Sequence, residues 1–196
     1  ARAVVSSGVA VVPTLVVDAA FAADALDFVD EIPLADRLPE GMGEWWSQMH
    51  AGLSAEARKR ARADLRLSRA LIRRIAELGG RIGAGSDAPA GPFDVPGGAL
   101  HRELELLVTE GGLTPLQAIT AATANAAHVL GRDDLGVVAE GKTADLLVVA
   151  GRPDEDVRET REIEYVIKGG KLWTGEEVLA MGETAPPPPG PTDEGI

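Results

Sequence analysis

Few residue types in this chain can do chemistry. There is no cysteine, which excludes a thiolate nucleophile, a thiolate metal site and a disulfide. The three histidines, His50, His101 and His128, stand far apart, so no His-x-His or His-x-x-x-His pair is available to bind a metal. The residue best placed for chemistry is Asp87, which closes the short β-prone run Arg81–Ser86 between Gly85 and Pro89. Such an aspartate has two readings. It can cap the following turn through its own backbone. It can also stand at the C-terminal end of a barrel strand, where (β/α)8 enzymes carry their active-site groups. Spacing alone leaves both open. His101, at the start of a helical pattern, and Trp45 and Trp46, in a long insert, are candidate substrate contacts; their plain readings are an exposed first-turn histidine and buried aromatics. His128, near a helix C-terminus, reads as structural.

Two glycine-rich patterns match phosphate-binding signatures by letter. Gly136-Val-Val-Ala-Glu-Gly-Lys-Thr143 fits the P-loop, but a helix and polar residues precede it, and a strand pattern rather than a helix follows Thr143. Gly83-Ala-Gly-Ser-Asp-Ala88 fits the dinucleotide pattern, yet Pro89 and Pro92 follow where a helix should open. Both nucleotide readings are set aside.

The elements that must position Asp87 are legible in outline. Residues 1–8 read as a helix tail closing at Gly8. Val9–Val17 is apolar on both faces, as in a strand covered on both sides, with Pro13 limiting the pairing. A short helical pattern over about Ala19–Phe28 leads into the irregular stretch to residue 53, long enough for a lid or binding loop. Ser54 caps a helix running to about Leu78, with Leu65, Leu71, Ile72, Ile75 and Leu78 as its apolar stripe. Arg58, Arg62, Arg66, Arg69 and Arg73 form the opposite face, read as solvated. A helix follows from near Gly98, and Thr114-Pro-Leu-Gln117 opens another, expected to run to Leu130. Then the period changes. Ala144–Ala150 and Ile163–Lys168 are strand-like, Gly169-Gly170 is a hairpin turn into Lys171–Trp173, and Asp145 shapes the entry to this module. Residues 176–196, ending in a proline-rich run, are expected to be a flexible tail.

Composition bounds the function. The chain has 196 residues, 45% hydrophobic and 26% charged, which suits a globular domain. Its net charge of −12 repels phosphate backbones, so nucleic acid is an unfavourable partner. No apolar run approaches the roughly 20 residues that span a bilayer, so no membrane partner is expected. No signal-type segment opens the given sequence; the expected location is unknown, cytoplasmic only by default, since the true N-terminus is expected to lie upstream.

Gly85-Ser-Asp-Ala-Pro89, then His101-Arg-Glu-Leu-Glu-Leu-Leu107, Gly112-Leu-Thr-Pro-Leu-Gln-Ala118, Ala121-Ala-Thr-Ala-Asn-Ala-Ala127, Gly141-Lys-Thr-Ala-Asp-Leu146 and Val166-Ile-Lys-Gly-Gly170 stand in that order. Together they resemble the amidohydrolase superfamily, most closely its imidazolonepropionase-like and prolidase-like metal-dependent hydrolases. The resemblance covers about Val9 to Trp173. It implies an α/β fold: residues 1–131 as the last two strands, with helices, of a (β/α)8 TIM-type barrel, and 132–175 as the C-terminal strands of a small composite β-sandwich. Val9–Val17 and Arg81–Ser86 would be the seventh and eighth barrel strands.

The same resemblance implies hydrolysis of carbon–nitrogen bonds other than peptide bonds, in a small-molecule substrate with an amide, lactam or related bond. The cofactor would be one or two divalent metals, usually zinc. Asp87 matches the family aspartate that binds metal and shuttles protons. The family's His-x-His, its bridging Lys or Glu and its later histidines have no counterpart here. One carboxylate cannot hold a catalytic zinc, which takes three protein ligands. The expectation is therefore a fragment of a longer enzyme, inactive alone, whose partner is the missing N-terminal half of the barrel. Unpaired sheet edges would also make oligomerisation possible. The alternative is a degenerate barrel fragment serving as a binding module.

Overall fold

Ser54 and Thr114 set two of the helices as their side chains dictate. The computed structural model describes residues 1–24, 37–38, 40–88 and 95–183. Seven helices precede the sheet among them: α1 Arg2–Ser7, α2 Leu15–Ala22, α3 Met42–Ala51, α4 Ala55–Glu77, α5 Gly98–Thr109, α6 Pro115–Ala122 and α7 Ala124–Val129. The Ser54 hydroxyl accepts the Ala57 N–H at 3.1 Å and starts α4. At α6, Thr114 Oγ1 accepts the Gln117 N–H at 3.3 Å while Gln117 Oε1 accepts the Thr114 N–H at 2.8 Å, a complete capping box with Pro115 behind it.

Leu65, Ile72 and Ile75 of α4 are buried in one core with Leu15 and Val16 of α2 and Leu104 and Leu107 of α5. Burying each such side chain contributes about 1.5–3 kcal/mol. Leu71, placed in that stripe by spacing, lies outside it and is exposed. The arginine face of α4 is also not wholly solvated. Arg58 stands seven residues before Leu65, on the same side of the helix, and its guanidinium donates to the carbonyls of Ala23 (3.2 Å) and His50 (2.7 Å). Arg62 Nε donates to the Ala22 carbonyl at 3.1 Å. These cations cap the C-terminal ends of α2 and α3, where carbonyls lack partners and the helix dipole favours positive charge.

Val9–Val17 does not form the expected strand. It makes a single parallel bridge, Val11 to Ile82, and Arg81–Ser86 likewise pairs only there. The Val11 N–H donates to Arg81 O at 3.0 Å and the Gly83 N–H to Val11 O at 2.9 Å. Past Pro13 the backbone turns left-handed at Thr14 (φ 48°, ψ 47°) and enters α2. Leu15 and Val16 are thus buried as helix residues, since a β-branched apolar run suits a core in either conformation. The helical pattern read over about Ala19–Phe28 begins earlier, and its end lies outside the described residues. The single helix expected from Thr114 to Leu130 is two, broken at Thr123 (φ −118°, ψ −90°). Gly136 packs against that break so closely that a Cβ on it would lie 2.8 Å from Thr123 O and 2.7 Å from the Ala127 Cβ.

The C-terminal module is an antiparallel sheet in the order β1-β2-β3: β1 Leu146–Val149, β2 Ile163–Lys168 and β3 Lys171–Thr174. Gly169 (φ 56°) and Gly170 (φ 81°) supply the left-handed hairpin turn. Asp145 accepts the Gly169 N–H at 2.8 Å and pairs with Lys168. Thr143 opens no helix; its hydroxyl bonds Asp134 at 3.0 Å and β1 follows, which removes the P-loop reading. Residues expected to begin a flexible tail instead form α8, Gly175–Glu183. No helix among the described residues is long and apolar enough to cross a membrane.

Candidate active site

Asp87 lies five residues beyond Ile82, and three neighbours fix the backbone that leads to it. Val11 brackets Ile82 from one side through the bridge. From the other, Asn125 Nδ2 donates to Ile82 O at 2.7 Å and the Ala84 N–H donates to Ala121 O at 3.1 Å. Gly83 and Gly85 are small for a reason: added Cβ atoms would meet Val12 methyls at 3.0 and 2.8 Å. The segment therefore runs flat against Val12 and emerges at Asp87, which is solvent-exposed and left-handed (φ 60°). Ser86 Oγ accepts the Ala88 N–H at 3.3 Å, so the serine, not the aspartate, supports the turn there. Pro89 and Pro92 fall outside the described residues.

Two features nearby were not read from the sequence. Thr14 and Asp87 are the only non-glycine residues with positive φ among the described ones. Each ends one arm of the bridge, two residues beyond Val12 and Gly85, which touch. Glu103 of α5 is the second. It is completely buried, and its Oε2 accepts the Val16 N–H of the first turn of α2 at 2.8 Å. Thr14, the N-cap of α2, offers no side-chain bond, so Glu103 supplies the cap from another helix. A signal existed: position 103 falls in the apolar row Ala99, Glu103, Leu106 at helical spacing.

The other candidate contacts are not gathered beside Asp87. His101 Nδ1 lies 2.9 Å from Thr160 Oγ1, and Thr160 gives its own proton to Val157 O at 2.7 Å. The His101 Nδ1–H must then be the donor. Burial, and after it the Arg161 charge, lowers the His101 pKa and keeps the ring neutral. His101 and Arg161 line a cavity of about 630 Å³ with Ile163, Tyr165, Thr174 and Val178, and Asp87 is not among the described lining residues. Trp45 and Trp46, adjacent on α3, cannot share a face. Trp45 is 47% exposed and Trp46 only 2%, so Trp46 is a core residue rather than a wall open to substrate.

No group of three or more His, Cys, Asp or Glu side chains capable of holding a metal ion occurs among the described residues. A catalytic zinc needs three protein ligands, so the residues present do not by themselves fit one.

The Amidohydrolase family model matches residues 2–173. This chain belongs to the amidohydrolase family. It is 40% identical over 111 residues to ochratoxinase from Aspergillus niger, covering 54% of this chain and 23% of that enzyme. It is 53% identical over 49 residues to imidazolonepropionase from Pyrobaculum arsenaticum, covering 25% of this chain and 12% of the relative. Among solved structures it resembles a Xaa-Pro dipeptidase with bound methionine in its active site, at a TM-score of 0.61 and 25% identity, over 89% of this chain and 36% of that one. These likenesses make the fold a TIM-barrel-related α/β fold. The chain spans well under half the length of the relatives it matches.

Proposed function

We propose that this amidohydrolase chain forms part of a metal-dependent hydrolase of non-peptide carbon–nitrogen bonds in small molecules. In this reading residues 1–131 belong to a (β/α)8 barrel and 132–175 to a composite β-sandwich. The observation that carries it is Asp87, exposed at the end of a segment pinned by Val11, Ala121 and Asn125 within a family-matched stretch. A carboxylate there can take a proton from an attacking water and return it to the leaving nitrogen of an amide or lactam. Asp87 also supplies one oxygen ligand for a divalent cation, zinc by family resemblance. The remaining ligands have to come from polypeptide outside the described residues.

The shortage of ligands favours a second reading, a binding module without turnover. One experiment separates them. The chain is joined with the polypeptide that completes its barrel, and amine release from amide substrates is followed before chelation, after chelation and after zinc is restored. The hydrolase reading predicts activity that is lost and regained with metal, and none from the chain alone. A completed barrel that binds these substrates without cleaving them supports the binding module instead.

A further inference from the structure

The rim beside Asp87 has a second arm. Val12 and Gly85 lie in contact, and two residues on, their chains reach Thr14 and Asp87. Both adopt left-handed backbone, which a β-branched threonine avoids more strongly than aspartate does. Strain of this kind persists only where surrounding structure enforces it, and it concentrates at functional sites. The helix turn that follows Thr14 is held by Glu103. Its buried carboxylate holds the Val16 N–H at 2.8 Å, and Leu15 and Val16 are buried beneath the turn. The Thr14 hydroxyl makes no cap bond to α2. A helix start wants a hydroxyl on its own first-turn amides. Here that duty falls to a distant glutamate, and the half-buried threonine makes no such bond.

We propose that Thr14 is a substrate-positioning residue of the hydrolase, its hydroxyl presented to the polar group flanking the scissile amide by a strained turn that Glu103 clamps. This rests on the hydrolase reading given above. A hydroxyl donating to a substrate carbonyl orients it relative to the carboxylate at Asp87, and such orientation is worth most when the donor is fixed before binding.

The test uses the completed hydrolase with small non-peptide amides as probes, and reads kcat, KM and melting temperature for Thr14→Gly, Thr14→Val and Thr14→Ser. Thr14→Gly relieves the backbone and deletes the hydroxyl, so the melting temperature should rise while kcat/KM falls about tenfold or more, the size of one lost oriented hydrogen bond. Thr14→Val should lose similar activity without the gain in stability, and Thr14→Ser should recover most of the loss. A purely structural threonine gives no loss in the valine variant that serine then restores. The proposal is overturned if Thr14→Gly keeps parental kcat/KM, or if its melting temperature falls. Asp87→Asn, measured alongside, separates the two ideas. If it abolishes turnover while the Thr14 variants are unaffected, only this proposal fails. If it is as active as the parent, or the parent turns over no probe, the hydrolase reading fails and this proposal with it.

Discussion

Removing the Glu103 side chain should be among the most damaging single changes to this fold. Glu103→Ala leaves the Val16 N–H buried with no acceptor, since Val16 is 5% exposed and Thr14 provides no cap. An orphaned buried donor costs about 1–3 kcal/mol. The lost methylene adds about 0.8 kcal/mol of lost burial. Together these give a destabilisation of about 2–4 kcal/mol. For a chain of this size that lowers the melting temperature by roughly 2–4 °C per kcal/mol. Glu103→Gln keeps the volume and an oxygen acceptor for the Val16 N–H, so it should cost at least about 1 kcal/mol less than the alanine. Urea unfolding followed by circular dichroism, together with thermal melts, reads both variants. The ordering is the sharp point: the alanine must be clearly worse than the glutamine. An alanine variant within 0.5 kcal/mol of the parent, or a glutamine variant less stable than the alanine, would refute the role given to Glu103 as the cap of α2.

Two further outcomes follow from the same packing and electrostatics. Gly85→Ala would put a Cβ 2.8 Å from Val12 Cγ1, and valine is stiff at χ1, so the variant should lose about 1–3 kcal/mol in the same unfolding assay; unchanged stability would mean that the two arms do not touch. His101 has a folded pKa below its ordinary 6.5, so below about pH 6.5 the unfolded chain binds more protons than the folded one. The stability that depends on a neutral His101 is complete above the unfolded value and declines as the pH falls from there towards the lowered folded value. Unfolding between pH 7 and 5 should show this slope, and His101→Gln should flatten it; an unchanged slope in that variant would remove His101 as its source.

How much of this was legible depends on whether the deciding interaction is local. The starts of α4 and α6 were readable because Ser54 and the Thr114–Gln117 box act within three residues. The hairpin at Gly169-Gly170 was readable for the same reason. Val9–Val17 was misread because its apolar run is compatible with helix or strand, and the choice is made by Ile82 and Glu103, both far along the chain. The break at Thr123 was hidden because it depends on close packing against Gly136. The charge of Arg58 suggests solvent, but its spacing to Leu65 places it on the inward side of α4, where its guanidinium meets the Ala23 carbonyl. Motif order is what singles out Asp87 in the sequence, and spacing alone does not separate it from a turn aspartate. The left-handed turn at Thr14 is not legible because such a backbone at a threonine leaves no trace in composition or period.

A paired measurement of metal content and turnover in the completed hydrolase, with and without Asp87→Asn, decides the role of Asp87. The parent should carry a divalent metal and cleave an amide substrate, while the variant should lose turnover by about 10²–10⁴-fold, the usual contribution of a positioned acid–base group, and hold less metal. A variant with parental turnover and parental metal content would contradict that role.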